Sequence, residues 1–411
     1  MLIITLSALA LSPAAVPAPP NSIVVIGRAI QDKKDALATC IGHRCSPDQE
    51  IDASLALAEA QLIAGKYREA RVTLLDALGR NKRYAMAYPI PVSDLYRANG
   101  RVAAHLGIDD DYYRSTWGIY NTLKRGMPDA KALQYSAMME VAEMMATTRG
   151  HDRAREYYRS IIHHAKDDGR PDIAAIADLR MIVRHYPGWA KEEAIRKIAD
   201  ADDEGTRAAQ LEARLALARM AYERNDEARA EAIVSEIARF DIRKPILIYA
   251  PRWDVERAPG TQEGFGSLGD RQLLQDLGGS VRATSAQSFA GRGQDPLQSN
   301  ATGAPNSFSG ARMPLAVEDM WIDVGFHITP QGKVSDAQIL RSHGDTGWSK
   351  PLLASIAGRR YTPPRPGTAN YRTERYTYTS GLEAATGSHQ ELHSPNARVE
   401  YFDLSDISAP D

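Results

Sequence analysis

The sequence predicts an α+β, multidomain protein: an N-terminal α-solenoid followed by a small strand–strand–helix–strand domain. Three observations predict it. Across residues 51–240, Ala, Leu, Glu and Arg dominate, and apolar residues recur at i, i+3 and i+4, the period of one helical face. Within that stretch, turn points at Gly65, Gly107, Gly150, Gly188 and Asn225 follow one another at intervals of 42, 43, 38 and 37 residues, within the range of helical-hairpin repeats. Beyond residue 316 the apolar period changes to two, which puts Ile322, Val324, Phe326 and Ile328 on one face of a strand.

At the N-terminus, an apolar run of about ten residues is followed by the Pro/Ala stretch 12–20. A membrane helix needs roughly twenty such residues, so the run suits the apolar core of a secretory signal. Residues 1–20 are therefore expected to be a signal peptide, although no Lys or Arg precedes the run. An exported, periplasmic protein follows, in which Cys40 and Cys45 can close a short disulfide within the segment 21–50. Zinc needs two ligands more than these cysteines supply, and only His43 is nearby. The run Ile23-Val24-Val25-Ile26-Gly27-Arg28 reads as β-prone, a short strand or strand donor.

Residues 51–244 form the helical domain. Its clearest segment runs from Ala53 to Leu62, turns at Gly65, and continues through Tyr67, Ala70 and Leu74. Ala58 and Ala70 let two antiparallel helices approach closely, and Tyr67 and Leu74 fill the groove. Gly65-Lys66-Tyr67-Arg68-Glu69-Ala70 resembles the inter-helix stretch of a tetratricopeptide (TPR) hairpin. Five such helix pairs make a degenerate TPR-like solenoid, a surface for binding other proteins.

Residues 245–256, apolar and bounded by prolines, allow a short edge strand. Residues 257–310 are rich in Gly, Ser, Gln and Asn and cannot bury enough apolar surface to offset chain entropy. They read as a flexible linker with a short helix near 271–277. In the domain at 311–383, Thr329 to Lys333 turns the first strand into a return strand starting at Val334. Ser349 caps a helix with Pro351 in its first turn, and residues 371–379 form a last strand rich in Tyr and Thr. Residues 384–411 are expected to be a disordered tail.

This last domain resembles the C-terminal domain of TonB-family energy transducers. The resemblance rests on the strand Ile322 to Ile328, the turn Pro330-Gln331-Gly332-Lys333-Val334, Ile339-Leu340-Arg341-Ser342, the helix ending Gly358-Arg359-Arg360-Tyr361-Thr362-Pro363-Pro364, and the final strand. It departs from the family before the first strand, where Met313-Pro314-Leu315-Ala316 replaces the usual Tyr-Pro stretch, and a solenoid stands where a Pro-rich spacer is usual. The resemblance implies a TonB-like, membrane-associated adaptor linked to transport across the outer membrane. It would bind a segment of an outer-membrane receptor by strand addition to a sheet edge. The last strand is expected to be that edge, with Arg372, Glu374, Arg375, Tyr376 and Tyr378 fixing the register of the bound peptide. The alternative is a scaffold whose C-terminal domain forms a homodimer.

The formal net charge of −2 gives no basic field for nucleic acid. No dinucleotide-binding, P-loop, nucleophile-elbow or His-Glu-x-x-His pattern is present, so no enzyme activity, small-molecule substrate, cofactor or metal is expected, and a cell-wall hydrolase lacks a supporting motif. His163, His164 and His185 read as surface or groove residues. Asp109-Asp110-Asp111 reads as the acidic first turn of a helix.

Overall fold

In the computed structural model, the structure describes residues 22–148, 151–240, 242, 244–251, 320–365, 370–384 and 391–405. The residues expected to be a signal peptide and linker lie outside these, as does the helix expected near 271–277. Eleven helices come first: α1 (Ser22–Gly42), α2 (Pro47–Ile63), α3 (Tyr67–Asn81), α4 (Pro89–Leu106), α5 (Asp109–Gly126), α6 (Lys131–Thr148), α7 (His151–Asp167), α8 (Pro171–His185), α9 (Gly188–Ala199), α10 (Arg207–Glu223) and α11 (Glu227–Ile237). The β-prone run 23–28 lies inside α1, which corrects the strand expectation. Its four apolar residues are continued by a helix-forming run, and the helix passes through Gly27 without a turn. Cys40 and Cys45 form a disulfide that closes the turn between α1 and α2, with their Cα atoms 5.1 Å apart.

Helices α2 to α11 form five pairs, and the repeat points Gly65, Gly107, Gly188 and Asn225 lie between or at the boundary of the two helices of a pair, while Gly150 lies outside the described residues. The chain must reverse tightly there, and Gly65, Gly107 and Asn225 take positive φ, a conformation open to Gly and tolerated by Asn. Gly188 instead begins α9, and Tyr186 and Pro187 make that reversal. Entry points are equally local. Ser46 and Gln49 make a reciprocal capping box at α2, while Pro89 and Pro171 occupy the first turns of α4 and α8. Ile51, Tyr67, Leu74, Val92 and Leu95 fill the first part of the core. Met144, Tyr158, Ile161 and Ala177 fill the middle, and Leu215, Ala230 and Ile237 the end.

The C-terminal unit holds β1 (Leu247–Tyr249), β2 (Met320–Ile328), β3 (Val334–His343), α12 (Lys350–Ala357), β4 (Arg360–Tyr361), β5 (Tyr371–Ala384) and β6 (Glu391–Asp403). The main sheet is antiparallel in the order β3-β2-β5-β6, and β1 pairs with β4 in a second, two-stranded sheet. Ile322, Val324, Phe326 and Ile328 all face Leu352 and Ile356 of α12 and are fully buried. Each such side chain contributes about 1.5–3 kcal/mol on burial.

Four local readings are corrected here. Residues 391–403, expected to lie in a disordered tail, form β6, paired along the outer side of β5. The last strand therefore lies inside the sheet. Arg360 and Tyr361 leave the helix and make β4. Ser349 does not cap α12 with its side chain: it lies in a 3-10 turn, and its hydroxyl donates to the Thr346 carbonyl at 2.7 Å.

Candidate functional site

The five residues expected on a binding edge are instead on an inner strand of the sheet. β5 is hydrogen-bonded to β2 on one side and β6 on the other, so its backbone is already paired and cannot receive a peptide. Arg372, Glu374, Arg375, Tyr376 and Tyr378 are all buried. The reason is non-local. β6 supplies the pairing partner that the five-residue pattern itself cannot reveal.

Strand alternation divides these residues between two faces. Glu374, Tyr376 and Tyr378 share the α12 face with Val324, Ile322 and Met320. There Arg359 donates to Glu374 Oε2 at 2.7 Å and to the Tyr376 hydroxyl at 2.6 Å. The Tyr376 hydroxyl also bonds Glu374, and the Tyr401 hydroxyl donates to its other oxygen at 3.2 Å. Burial works against charge on Arg359, but Glu374 and the phenol groups outweigh it, so its pKa sits well above the ordinary value. Burial raises Tyr376 strongly; Arg359 opposes that rise and Glu374 reinforces it. Arg372 lies over the Tyr361 ring, pairs with Asp403 at 3.2 Å and donates to the Pro245 carbonyl.

Arg375 faces the other way, toward the helices. Its guanidinium donates to Asp323 at 2.6 and 2.9 Å, and also reaches the carbonyls of Leu62 (3.1 Å) and Ile63 at the end of α2. It stacks 3.9 Å from the Trp321 ring centroid. Burial alone would lower its pKa, but the bond to Asp323 outweighs that, leaving it raised. The carbonyls at a helix C-terminus, where the dipole favours positive charge, thus receive a cation delivered by a distant strand.

Around this arginine the sheet and the solenoid lock together. Gly65 lies under Trp321: a Cβ there would sit 2.6 Å from the indole nitrogen, so the repeat glycine also makes room for the sheet. The Tyr67 hydroxyl hydrogen-bonds the Thr377 hydroxyl at 2.7 Å. His105 of α4 packs against both Tyr67 (4.1 Å between centroids, tilted) and Phe402 of β6 (4.6 Å, stacked), the three rings forming a triangle. A second attachment forms at the far end. Arg219 of α10 donates to the Ile248 carbonyl of β1 at 3.1 Å, and β1 continues into the sheet unit through β4 and Thr362. The C-terminal unit therefore touches both the first and the last helix pair.

Between those ends, ion pairs cross the first helices of successive pairs. Arg97 of α4 reaches Glu140 of α6 at 3.2 Å, Glu143 of α6 pairs with Arg184 of α8, and Arg180 of α8 lies 3.9 Å from Glu212 of α10. Tyr158 of α7 donates to Glu143 as well. Burial raises the Glu212 pKa against the pull of Arg180. Such pairs add little net stability, because the cost of taking the charges out of water offsets their attraction.

Among the described residues the sheet has two edges, β3 and β6, and β3 is the one with apolar side chains at its surface. It pairs with β2 alone, and Ile339 and Leu340 are exposed on it at 36% and 38%. Leu340 lies over Gly325, beside Tyr371, whose ring is tilted against that of His327 at 4.8 Å. Two register shifts and a positive φ at Asp336 interrupt the strand. Elsewhere, Asp109, Asp110 and Asp111 form the acidic first turn of α5, and Asp111 pairs with Arg71. His163 and His164 are exposed on α7. No described helix is long and apolar enough to cross a membrane.

A scan against protein-family models finds no match, and a search of curated proteins finds none either. Among solved structures, the chain is similar to the apo form of the quorum sensor NprR from B. thuringiensis, at 14% identity and a TM-score of 0.32. The likeness covers 52% of this chain and 61% of that one, so the chain spans less than two thirds of that protein. So distant a likeness carries no functional argument.

Proposed function

We propose that this protein is a non-catalytic, exported adaptor: TPR-like repeats form a frame, and a TonB-like C-terminal sheet offers an edge to an extended segment of a protein partner. The observation that carries this reading is β3, paired on one side only, with Ile339 and Leu340 exposed. Unpaired N–H and C=O groups on a strand edge bind an extended chain, and the exposed apolar side chains supply contacts. The docking strand is thus β3 in place of β5. Export is supported by the apolar N-terminal run and the Cys40–Cys45 disulfide. An outer-membrane receptor segment is the partner class that the family resemblance suggests.

The test is site-specific photo-crosslinking in the native host from Ile339, with exposed Trp189 on α9 as the control position. A discrete adduct from Ile339, lost when Leu340→Pro disrupts the edge, is the expected result. Adducts from Trp189 alone would refute the edge. An adduct containing a second copy of this chain would favour the homodimer instead, which light scattering would then show in solution.

A further inference from the structure

The last turn of α7 brings together His163, His164 and Asp167, all exposed. On a helix, positions i and i+4 share a face, and i+1 flanks it, so Asp167 stands within reach of both imidazoles. His163 Nε2 lies 3.5 Å from Asp167 Oδ2, and the two rings stand 5.3 Å apart, tilted by 38°. One ligand atom from each of the three residues falls within 4.8 Å of the others. That spread allows a single ion to be reached by small rotamer changes, since metal–ligand bonds to nitrogen and oxygen are about 2.0–2.2 Å.

We infer that His163, His164 and Asp167 form a surface site for a divalent transition-metal ion of the imidazole-binding kind, with Zn2+ as the probe. Two features support this beyond proximity. The ligand set, two imidazoles and one carboxylate, selects Zn2+ and its neighbours over Mg2+ or Ca2+, which prefer all-oxygen shells. The site also sits at a helix C-terminus, where the outward carbonyl dipoles favour a cation. The adjacent carboxylate, Asp168, is occupied elsewhere: the Tyr135 hydroxyl donates to it at 2.7 Å, and Lys131 lies 3.9 Å away. Three protein ligands leave a fourth position open to water. The site is independent of the β3 edge, so either proposal can fail without the other.

The sequence has ten histidines, so the experiment must locate the ion as well as detect it. Isothermal titration of ZnCl2 into the untagged full-length protein is compared with His163→Ala, His164→Ala and Asp167→Asn. The side chains are exposed, so these variants keep their fold, checked by circular dichroism. One equivalent of Zn2+ bound, with each substitution weakening it at least tenfold, is the expected result, and Mg2+ at the same concentration gives no signal. Zn2+ binding that survives all three substitutions, or no binding at millimolar Zn2+, overturns the proposal.

Discussion

Replacing Arg375 with alanine should loosen the joint between the sheet and the solenoid. The side chain is fully buried and holds two bonds to Asp323, two to α2 carbonyls, and a stacked ring. Removing one partner of a buried ion pair costs about 3–5 kcal/mol, because the remaining charge is left uncompensated. Here Arg341 still reaches Asp323 at 2.7 Å and is partly exposed, so the loss falls toward the lower end, about 3 kcal/mol. That corresponds to a folded-to-unfolded ratio lower by a factor of roughly 100–200. The assay is urea unfolding followed by tryptophan fluorescence, paired with hydrogen exchange at α2, the Gly65 turn and β5. Arg375→Lys, which keeps the charge but loses the planar fork, should fall between alanine and the parent. A stability change under about 0.5 kcal/mol for Arg375→Ala, with no gain of exchange at the end of α2, would refute the reasoning.

Three other perturbations follow from the same structure. Arg359→Ala strands Glu374 in the C-terminal core and should cost about 3–5 kcal/mol; Glu374→Gln in the same chain should recover part of it, in denaturant unfolding. Hydrogen bonds from Arg224 and Arg229 hold the Glu192 pKa down to about 2 against its ordinary 4.5. Its contribution is thus fully present above about pH 4.5 and is lost as pH falls toward 2, and an acid titration of Glu192→Gln should show a shallower decline over that window. Reduction of the Cys40–Cys45 bond should destabilise the α1–α2 turn by about 2 kcal/mol, the loop-closure estimate for so short a ring, read as faster exchange confined to α1 and the start of α2.

Much of the helical half is visible in the chain itself. Helix faces follow from spacings of three and four residues, and helix boundaries from Ser46, Pro89, Pro171, Gly65 and Gly107, all of which act within one turn of where they stand. The β2 face was equally legible, because alternation assigns Ile322, Val324, Phe326 and Ile328 to one side without knowledge of any neighbour. The β-prone reading of residues 23–28 failed for a local reason: four consecutive apolar residues fit either period, and the helix-forming run after them decided it.

What the tertiary structure alone decided is who pairs with whom. The Arg372 to Tyr378 pattern reads the same on an edge strand and an inner one; only β6, from a stretch with weak strand signals, makes it inner. The joint unites Arg375 with Leu62 and Ile63, and Tyr67 with Thr377, residues more than 300 positions apart. Sequence periodicity determines which face of an element is apolar, since that depends on backbone geometry within a turn or a pleat. It carries no record of which distant surface covers that face, because any apolar face is satisfied by any complementary one.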